Sequence, residues 1–346
     1  MRPSLIIVFD NLKDELSVVY SLRYNSNQKY HDALAEANTS IDFVLDLLKK
    51  PFDEKYIPTN QKKINISSNT TKDDYLKMVE KAKNYIYEGD IFQVVLSQRF
   101  ESNFELPPFE LYRSLRRINP SPFLFYLNFD EFAVIGSSPE ILIRLFSDEI
   151  TVRPIAGTRP RGKDQAEDDN NKNSLLSDPK ELAEHLMLLD LGRNDVGKVS
   201  QLGSVKVTDK FFVELYSHVM HIVSNVIGKL DSKFNMIDVL KAGFPAGTVS
   251  GAPKIRAMQI IEELEKERRS IYAGCVGYFS AAGDMDTCIT LRTAIIKGNS
   301  MYVQAGAGIV ADSNPESEYQ ECKSKASALF NAAQDALDIN SSRAEK

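Results

Sequence analysis

Two pairs of glutamates with the same spacing are the residues of this sequence best suited to hold a metal ion: Glu181 with Glu184, and Glu318 with Glu321. Each pair lies in a segment whose pattern predicts a helix, and residues three apart point to the same helical face. Four converging carboxylates repel one another unless a cation neutralises them. Ligation by carboxylates without histidine or cysteine suits Mg²⁺ rather than zinc. The sequence therefore predicts a magnesium site; the alternative is two solvated acidic helices.

The composition excludes several classes of protein. The chain has 346 residues, a formal net charge of -6 and an isoelectric point near 5.5, which gives no electrostatic case for binding nucleic acid or an anionic membrane. Its three cysteines lack metal-site spacing, and the odd number fits a reducing compartment. The apolar run 5–9 is too short for a signal peptide or a membrane span. We expect a cytoplasmic protein with no nucleic-acid or membrane partner.

The first hundred residues contain few regular elements by pattern. Residues 4–9 predict a buried strand, and the polar segment 51–72 predicts a linker or exposed loop. Thr71 can cap a helix that ends at Gly89, and residues 91–100 predict a strand.

The middle of the chain alternates β-rich and helical patterns. Residues 123–155 predict a meander, and the charged, Asn-rich stretch 162–174 predicts a mobile loop. A helix follows with Asp178 as its cap and Pro179 at its first position. We expect this helix to present a core stripe formed by Leu182, Leu186 and Leu189.

The last third of the chain mixes helices and strands without βαβ regularity, which indicates an α+β fold. The pattern predicts helices over 235–242 and 255–267, strands over 275–281, 287–296 and 301–304, and a final helix from Pro315. We divide the chain into an N-terminal region and linker (1–70), a catalytic domain (71–332) and a C-terminal tail (333–346).

Five longer motifs resemble the chorismate-utilising enzyme family. They are residues 154–162 (PIAGTRPRG), 190–195 (DLGRND), 218–221 (HVMH), 244–254 (FPAGTVSGAPK) and 304–310 (QAGAGIV). The resemblance covers about residues 71–330 and implies a large mixed β-sandwich core flanked by helices.

The resemblance also implies roles for particular side chains. Chorismate carries two carboxylates and a 4-hydroxyl that must be protonated to leave. The family's acid lies in its Ser-Pro-Glu element, here Ser138-Pro139-Glu140, although an isolated glutamate at a strand edge is more often ordinary. Mg²⁺ is expected on the ring carboxylate, with Glu184 and Glu321 nearest and Glu181 and Glu318 acting through waters.

The second carboxylate of the substrate is expected at Arg292 and Lys325. The remaining substrate-binding positions implied by the resemblance are Gln93, Gly157, Thr158, Gly247, Thr248, Tyr272, Gly306 and Gly308. The loop 247–254 lacks the GxxxxGK[ST] spacing, so we exclude nucleotide binding there.

His221 is the histidine expected to take part in pyruvate elimination, because imidazole transfers protons near neutral pH. His218 and His185 are alternatives, and an isolated histidine is more often structural.

Two positions separate the reactions of the family. Isochorismate and salicylate synthases carry a lysine where this chain has Gln93, and neutral glutamine cannot activate water as a base. Aminodeoxychorismate synthases carry a nucleophilic lysine where this chain has Ala156. Ammonia addition followed by pyruvate loss remains. The resemblance is therefore to the anthranilate synthase large-subunit branch, a Mg-dependent carbon–oxygen lyase of tryptophan biosynthesis; an aminodeoxychorismate synthase-like enzyme is the alternative.

Members of that branch receive ammonia from a separate glutamine amidotransferase subunit, so we expect such a partner. They also have a longer N-terminal region with a Leu-Leu-Glu-Ser element that helps bind tryptophan. Asn119-Pro120-Ser121 matches the other half of that regulatory site, whose alternative interpretation is a plain turn. We expect weak or absent tryptophan inhibition, and a catalytically inactive fragment is the competing hypothesis.

Overall fold

The structure is a computed structural model that describes residues 1–22, 29–51, 55–216 and 219–344. It divides into two compact units, Met1–Tyr56 and Ile57–Lys346, whereas the sequence placed a boundary after residue 70. None of the helices in these ranges is long and apolar enough to cross a membrane.

The first unit contains a hairpin and a helix. Strand β1 (Leu5–Asp10) pairs antiparallel with β2 (Glu15–Tyr20), and helix α1 spans Tyr30–Leu48. The Asp10 carboxylate accepts the backbone N–H groups of Leu12 and Lys13, which stabilises the turn. The strand expected at 4–9 is confirmed, but its expected burial is wrong, because Ile6, Ile7, Val8 and Phe9 are exposed. Strand β2 and helix α1 were not predicted.

The second unit contains the remaining elements. Its strands are β3 (Ser67–Ser68), β4 (Gln93–Asn103), β5 (Phe123–Asn128), β6 (Ala133–Ser138), β7 (Ile141–Phe146), β8 (Glu149–Val152), β9 (Ile155–Pro160), β10 (Lys206–Leu215), β11 (Val219–Lys229), β12 (Gly251–Ala252), β13 (Cys275–Phe279), β14 (Met285–Ile289), β15 (Thr293–Lys297) and β16 (Ser300–Ile309). Its helices are α2 (Lys72–Tyr87), α3 (Pro108–Ile118), α4 (Gln165–Ser177), α5 (Pro179–Gly197), α6 (Met236–Gly243), α7 (Lys254–Leu264) and α8 (Pro315–Ala344), with a 3₁₀ turn at Gly247–Val249.

Two seven-stranded sheets organise these strands, and every described pairing is antiparallel. Sheet I has the order β12-β4-β16-β15-β6-β5, with β3 also on β4. Sheet II has the order β10-β11-β8-β7-β14-β13, with β9 also on β11. The chain crosses between the sheets twice through short links, at 139–140 and at 290–292.

Helices cover both sheets, which confirms the α+β class. On sheet I, α3 and α8 bury Leu115 and Leu329 against Val303, while α2 and α7 pack near Leu96 and Ala307. On sheet II, α5 and α6 contribute to a second core, which includes Leu189, Val196, Val226, Val239 and Ile143. Burial of apolar surface fixes the positions of α5 and α8, the two helices with the glutamate pairs.

Three sequence predictions are wrong in this part of the chain. The expected loop 162–174 is largely helix α4, because the Asp164 carboxylate caps it and Asp168 pairs with Arg161, although the helix has no apolar stripe. Leu186 is 51% exposed, so the core stripe of α5 does not include it. The expected strand 287–296 is two strands, β14 and β15, in different sheets.

The expected tail 333–346 is also wrong over its described part. Helix α8 continues to Ala344, and Ala336, Leu337 and Asn340 are buried. The side chain of Asn340 accepts the Ile57 N–H and donates to the Ile57 carbonyl, both at 2.9 Å. These bonds tie the end of the helix to the start of the second unit.

Candidate active site

Glu140 lies in the link from sheet I to sheet II, between β6 and β7. The Ser138 hydroxyl donates to the Ile289 carbonyl at 2.6 Å, and the Ile289 N–H donates to the Glu140 carbonyl at 3.0 Å. The Thr248 hydroxyl donates to Glu140 Oε2 at 3.2 Å. The two bonds to Ile289 of β14 therefore fix the backbone around Glu140, and the Thr248 hydroxyl holds its carboxyl.

The environment of Glu140 favours its protonated form. Burial raises the pKa of this carboxyl, and Lys325, the Thr248 hydrogen bond and Arg292 lower it by less. A carboxyl that keeps its proton to higher pH suits the donation of a proton to a leaving group.

A cleft opens beside Glu140. Its lining includes seven of the residues predicted from the sequence: Glu140, Thr248, Tyr272, Arg292, Gly306, Gly308 and Lys325. Two cationic side chains thus face one acid within a single cavity. This arrangement fits an anionic substrate with a poor leaving group.

The two cations reach the cleft in different ways. Arg292 lies in the second link between the sheets, and its φ of 47° is the left-handed conformation that a side chain seldom adopts. Lys325 projects from α8, where its Nζ contacts Glu321 at 2.6 Å and donates to the Gly306 carbonyl at 3.1 Å.

Two glycines keep the floor of the cleft free of side chains. A Cβ at Gly306 would lie 2.8 Å from the Leu96 carbonyl and 2.9 Å from the Tyr272 hydroxyl. A Cβ at Gly308 would lie 2.6 Å from Gln93 Nε2. The backbone carbonyl of Leu96 therefore excludes a larger residue at Gly306, whereas a larger residue at Gly308 would displace the end of the Gln93 side chain. Gly247 differs, because the space there is filled by Leu191 of α5.

The four glutamates predicted as metal ligands lie on α5 and α8, and their charges interact. Burial raises the pKa of Glu184, and repulsion from Glu181 and Glu321 adds to it. Burial likewise raises the pKa of Glu318, with repulsion from Glu321. Glu321 of α8 is therefore near enough to Glu184 of α5 for their charges to interact, and the magnesium site itself stays a prediction.

Cationic partners accompany two of these carboxylates. Arg159 donates to Glu181 at 2.8 Å, and Lys325 pairs with Glu321. Gln93 Nε2 donates to Glu184 at 3.1 Å, while the buried Gln93 Oε1 has no hydrogen-bond partner among the described residues. Over the same residues, no three histidine, cysteine or acidic side chains converge closely enough to form a metal site. The all-oxygen donor set nevertheless fits Mg²⁺, and Glu184 and Glu318 lack a cationic partner within this part of the structure.

His221 lies on β11 beside the cleft. Its Nδ1 is 2.9 Å from the Gly157 carbonyl and 3.1 Å from the Thr158 hydroxyl, so Nδ1 carries the proton and Nε2 has the free lone pair. Burial lowers the pKa of His221, with smaller effects from Arg292 and Lys325. The ring is therefore neutral and able to accept a proton near pH 7.

The other two candidate histidines are His185 and His218. His185 is fully buried on α5, and its Nε2 is 2.7 Å from the Ser224 hydroxyl, which indicates a structural role. His218 lies outside the described residues.

The segment proposed as half of a regulatory site is a turn after α3. The Asn119 carbonyl accepts the Ser137 hydroxyl at 2.5 Å, and the Ser121 hydroxyl donates to the Phe123 carbonyl at 3.3 Å. Pro120 lies between them. These bonds attach the turn to strands of sheet I.

Two arginines, Arg159 and Arg269, were not predicted from the sequence as site residues. Arg159 bridges Asp178 and Glu181 at the start of α5. Arg269 binds the backbone behind the cleft wall. Arg159 stood inside a recognised motif, and Arg268-Arg269 shortly before Tyr272 was the only local signal for the second.

A profile of the family described as chorismate binding enzymes matches residues 1–331. The chain belongs to the chorismate binding enzyme family. Among chorismate binding enzymes it is similar to anthranilate synthase component 1 of Cereibacter sphaeroides, with 55% identity over 97% of this chain and 67% of the relative. It is also similar to anthranilate synthase component 1 of Aquifex aeolicus, with 51% identity over 95% of this chain and 66% of the relative. The chain spans about two thirds of the length of these curated relatives.

Solved structures of the chorismate binding enzymes give the same relationship. The crystal structure of anthranilate synthase component I from Streptococcus pneumoniae matches with a TM-score of 0.84 and 43% identity, over 94% of this chain and 71% of that one. The menaquinone-specific isochorismate synthase from Escherichia coli matches with a TM-score of 0.74 and 27% identity, over 87% of this chain and 69% of that one.

Proposed function

We propose that this chain converts chorismate and ammonia to anthranilate, pyruvate and water, as a Mg-dependent carbon–oxygen lyase of tryptophan biosynthesis. The observation that carries the proposal is that Glu140, whose pKa is raised, shares one cleft with Arg292 and Lys325. The resemblance to anthranilate synthase component 1 at 55% and 51% identity supports the same reaction.

The first step is ammonia addition to the ring with loss of the 4-hydroxyl. Glu140 donates its proton to that hydroxyl, which departs as water, while Arg292 and Lys325 neutralise a substrate carboxylate. In the second step His221 Nε2 accepts a ring proton and the bond between the ring carbon and the ether oxygen breaks. The methylene carbon of the departing enolpyruvyl group takes up a proton, and the group leaves as pyruvate.

Mg²⁺ would be held directly by Glu184 and Glu321, with Glu181 and Glu318 acting through waters. When bound, the ion neutralises and orients the ring carboxylate of the substrate. Burial, with repulsion from Glu181 and Glu321, raises the pKa of Glu184, and a bound cation would relieve that repulsion. Lys325, now paired with Glu321, would then be released toward the substrate.

Gln93 and Ala156 support ammonia as the nucleophile. The Gln93 amide is neutral and donates to Glu184, so it supplies no base for water. Ala156, on β9 opposite Ile222 of β11, supplies no nucleophile to the ring.

A glutamine amidotransferase subunit is the proposed source of ammonia. A cysteine that releases ammonia from glutamine must form a thiolate. Burial instead raises the pKa of Cys275, of Cys288 to about 11 and of Cys322 to about 12. All three thiols are free, which also supports a reducing, cytoplasmic location.

The test is to mix the chain with chorismate, Mg²⁺ and ammonium at about pH 8.5, where more ammonia is unprotonated, and to follow anthranilate fluorescence with and without EDTA. We expect a signal that EDTA abolishes. If the folded chain gives no anthranilate and mass analysis finds isochorismate or aminodeoxychorismate instead, the assigned reaction is wrong.

A further inference from the structure

Arg269 lies directly behind the wall of the cleft and bonds to two of its segments. Its Nη1 donates to the Val249 carbonyl at 2.6 Å, and its Nη2 donates to the Val95 carbonyl at 2.5 Å. Its guanidinium also lies 5.4 Å from the centre of the Tyr272 ring. Val95, Val249 and Tyr272 all line the cleft. One side chain therefore joins β4, the 3₁₀ turn and the segment that precedes β13.

Glu265 fixes the orientation of this arginine. Its carboxylate accepts Arg269 Nη2 at 2.6 Å and Arg269 Nε at 3.0 Å. The same carboxylate accepts the Ser97 N–H at 2.7 Å and the Ser97 hydroxyl at 2.9 Å. Gln304, another lining residue, donates to the Ser97 hydroxyl at 2.8 Å. Through Ser97, the Arg269–Glu265 pair is thus connected to a fourth part of the cleft wall, Gln304 on β16.

Both charges of the pair are removed from water. The Arg269 side chain is 14% exposed and that of Glu265 is 4% exposed. Burial alone would lower the pKa of Arg269, but hydrogen bonding and the charge of Glu265 outweigh it, and the net pKa is raised. A buried pair whose bonds go to backbone groups, to each other and to the Ser97 hydroxyl specifies one arrangement of the groups around it.

The acid of the site depends on one of these segments. Val249 follows Thr248, and the Thr248 hydroxyl is the group that donates to Glu140. A displacement of the Val249 carbonyl therefore moves the hydroxyl that holds the acid. Arg269 itself does not line the cleft, so its influence must be indirect.

We propose that the Arg269–Glu265 pair positions the cleft wall, and through the 247–249 turn sets the hydrogen bond between Thr248 and Glu140. This inference rests on the proposed function of the same cleft. Lysine cannot replace the arginine, because a single ammonium lacks the planar fork that meets two carbonyls and a carboxylate together.

The experiment compares Arg269→Lys with the wild-type chain and with a control, Arg117→Lys. Arg117 pairs with Asp335 on the surface between α3 and α8 and does not line the cleft. We expect Arg269→Lys to lower kcat/KM about 100-fold, the scale of a 1 Å misplacement of reacting groups. The control should stay within about twofold, the scale of a weak surface pair.

The pH profile provides a readout that general destabilisation would not move. The Thr248 hydrogen bond lowers the pKa of Glu140, so its loss should shift the alkaline limb of kcat/KM to higher pH. Arg269→Lys should show this shift. If Arg269→Lys has the same kcat/KM and the same alkaline limb as the wild type, the inference is overturned. If Arg269→Lys fails to fold by circular dichroism, Glu265→Gln, which keeps the side-chain volume, decides by the same criteria.

Chorismate binding separates failure of the inference from failure of the proposed function. Calorimetry with chorismate and Mg²⁺ is run on the wild type and both variants. If the wild type binds chorismate and Arg269→Lys binds it more weakly, the positioning role is supported even when neither chain turns chorismate over. If turnover is absent and the two Kd values are equal, the positioning role is rejected. Wild-type chain that neither binds chorismate nor turns it over refutes the proposed function and the inference together.

Discussion

The Thr248 hydroxyl donates to Glu140 Oε2 across 3.2 Å, from a 3₁₀ turn to the link between the two sheets. This bond stabilises the ionised form of the acid, in opposition to burial, which stabilises the protonated form. The site therefore contains a residue that keeps the pKa of Glu140 lower than burial alone would set it.

Replacing Thr248 by valine should shift the alkaline limb of activity upward. The acid must be protonated to act, so activity is lost as pH rises through its pKa, and removing the hydroxyl raises that pKa. The measurement is kcat/KM for chorismate against pH at a fixed concentration of unprotonated ammonia. Thr248→Ser restores the donor and should restore the limb; an unchanged limb in Thr248→Val would contradict the role of the bond.

Replacing Glu140 by glutamine should remove proton donation altogether. The expected loss in kcat is about 10²–10⁴-fold, the usual contribution of a positioned general acid. Chorismate affinity, measured by calorimetry, should change little, because Arg292 and Lys325 remain. A variant that keeps more than a tenth of wild-type turnover would show that another group donates the proton.

Replacing His221 by asparagine should separate the two chemical steps. Ammonia addition does not use this side chain in the proposed mechanism, whereas ring-proton removal does, so an aminated product that still carries the enolpyruvyl group should accumulate. Mass analysis of the reaction mixture measures its ratio to anthranilate. His31→Asn, an exposed change on α1, is the matched control. Equal product ratios in wild type and His221→Asn would exclude the assigned role.

Mg²⁺ should stabilise the chain through the two glutamate pairs. An ion that binds only the folded state raises the melting temperature, by mass action. Glu184→Gln should abolish this rise and should also weaken EDTA-sensitive turnover. Glu316→Gln removes a carboxylate on α8, the helix of Glu318 and Glu321, that pairs with Lys72, and it should leave the Mg²⁺ effect intact. A full Mg²⁺ effect in Glu184→Gln would remove that residue from the metal site.

His185 should make stability fall as the solution is acidified from neutral pH. Burial lowers its folded pKa to about 4 from the ordinary 6.5, so between these values the unfolded chain binds more protons. Stability is therefore lost as pH falls through this window, by up to about 3 kcal/mol. Urea unfolding at pH 7 and pH 5 should show a larger pH effect in wild type than in His185→Gln, and equal effects would contradict it.

The sequence predicted the chemistry of the site better than the elements that shape it. Glu140, Thr248, Arg292 and Lys325 line one cleft. Only Thr248 lies in one of the long motifs, and the other three were expected there from the family resemblance rather than from any local pattern. Helix α4 was missed because Asp164 and the Asp168–Arg161 pair stabilise it without an apolar stripe.

Two other features, the conformation of Arg292 and the role of Arg269, could not be predicted from the sequence for a different reason. The break at Arg292 is set by the exchange of the chain from β14 in one sheet to β15 in the other, which local propensity does not encode. Arg269 gave no signal because its partners, Val95 and Val249, are backbone carbonyls far away in sequence.

The two links between the sheets have a consequence for how this chain can change in length. Glu140 occupies one link and Arg292 the other, so an insertion in either displaces a proton donor or an anion-binding cation. Turns at the outer strand ends, such as Ser147-Asp148 and Gly298-Asn299, carry no such group. Loop grafts and added residues belong at those outer turns, while the two links set a fixed spacing for the whole catalytic unit.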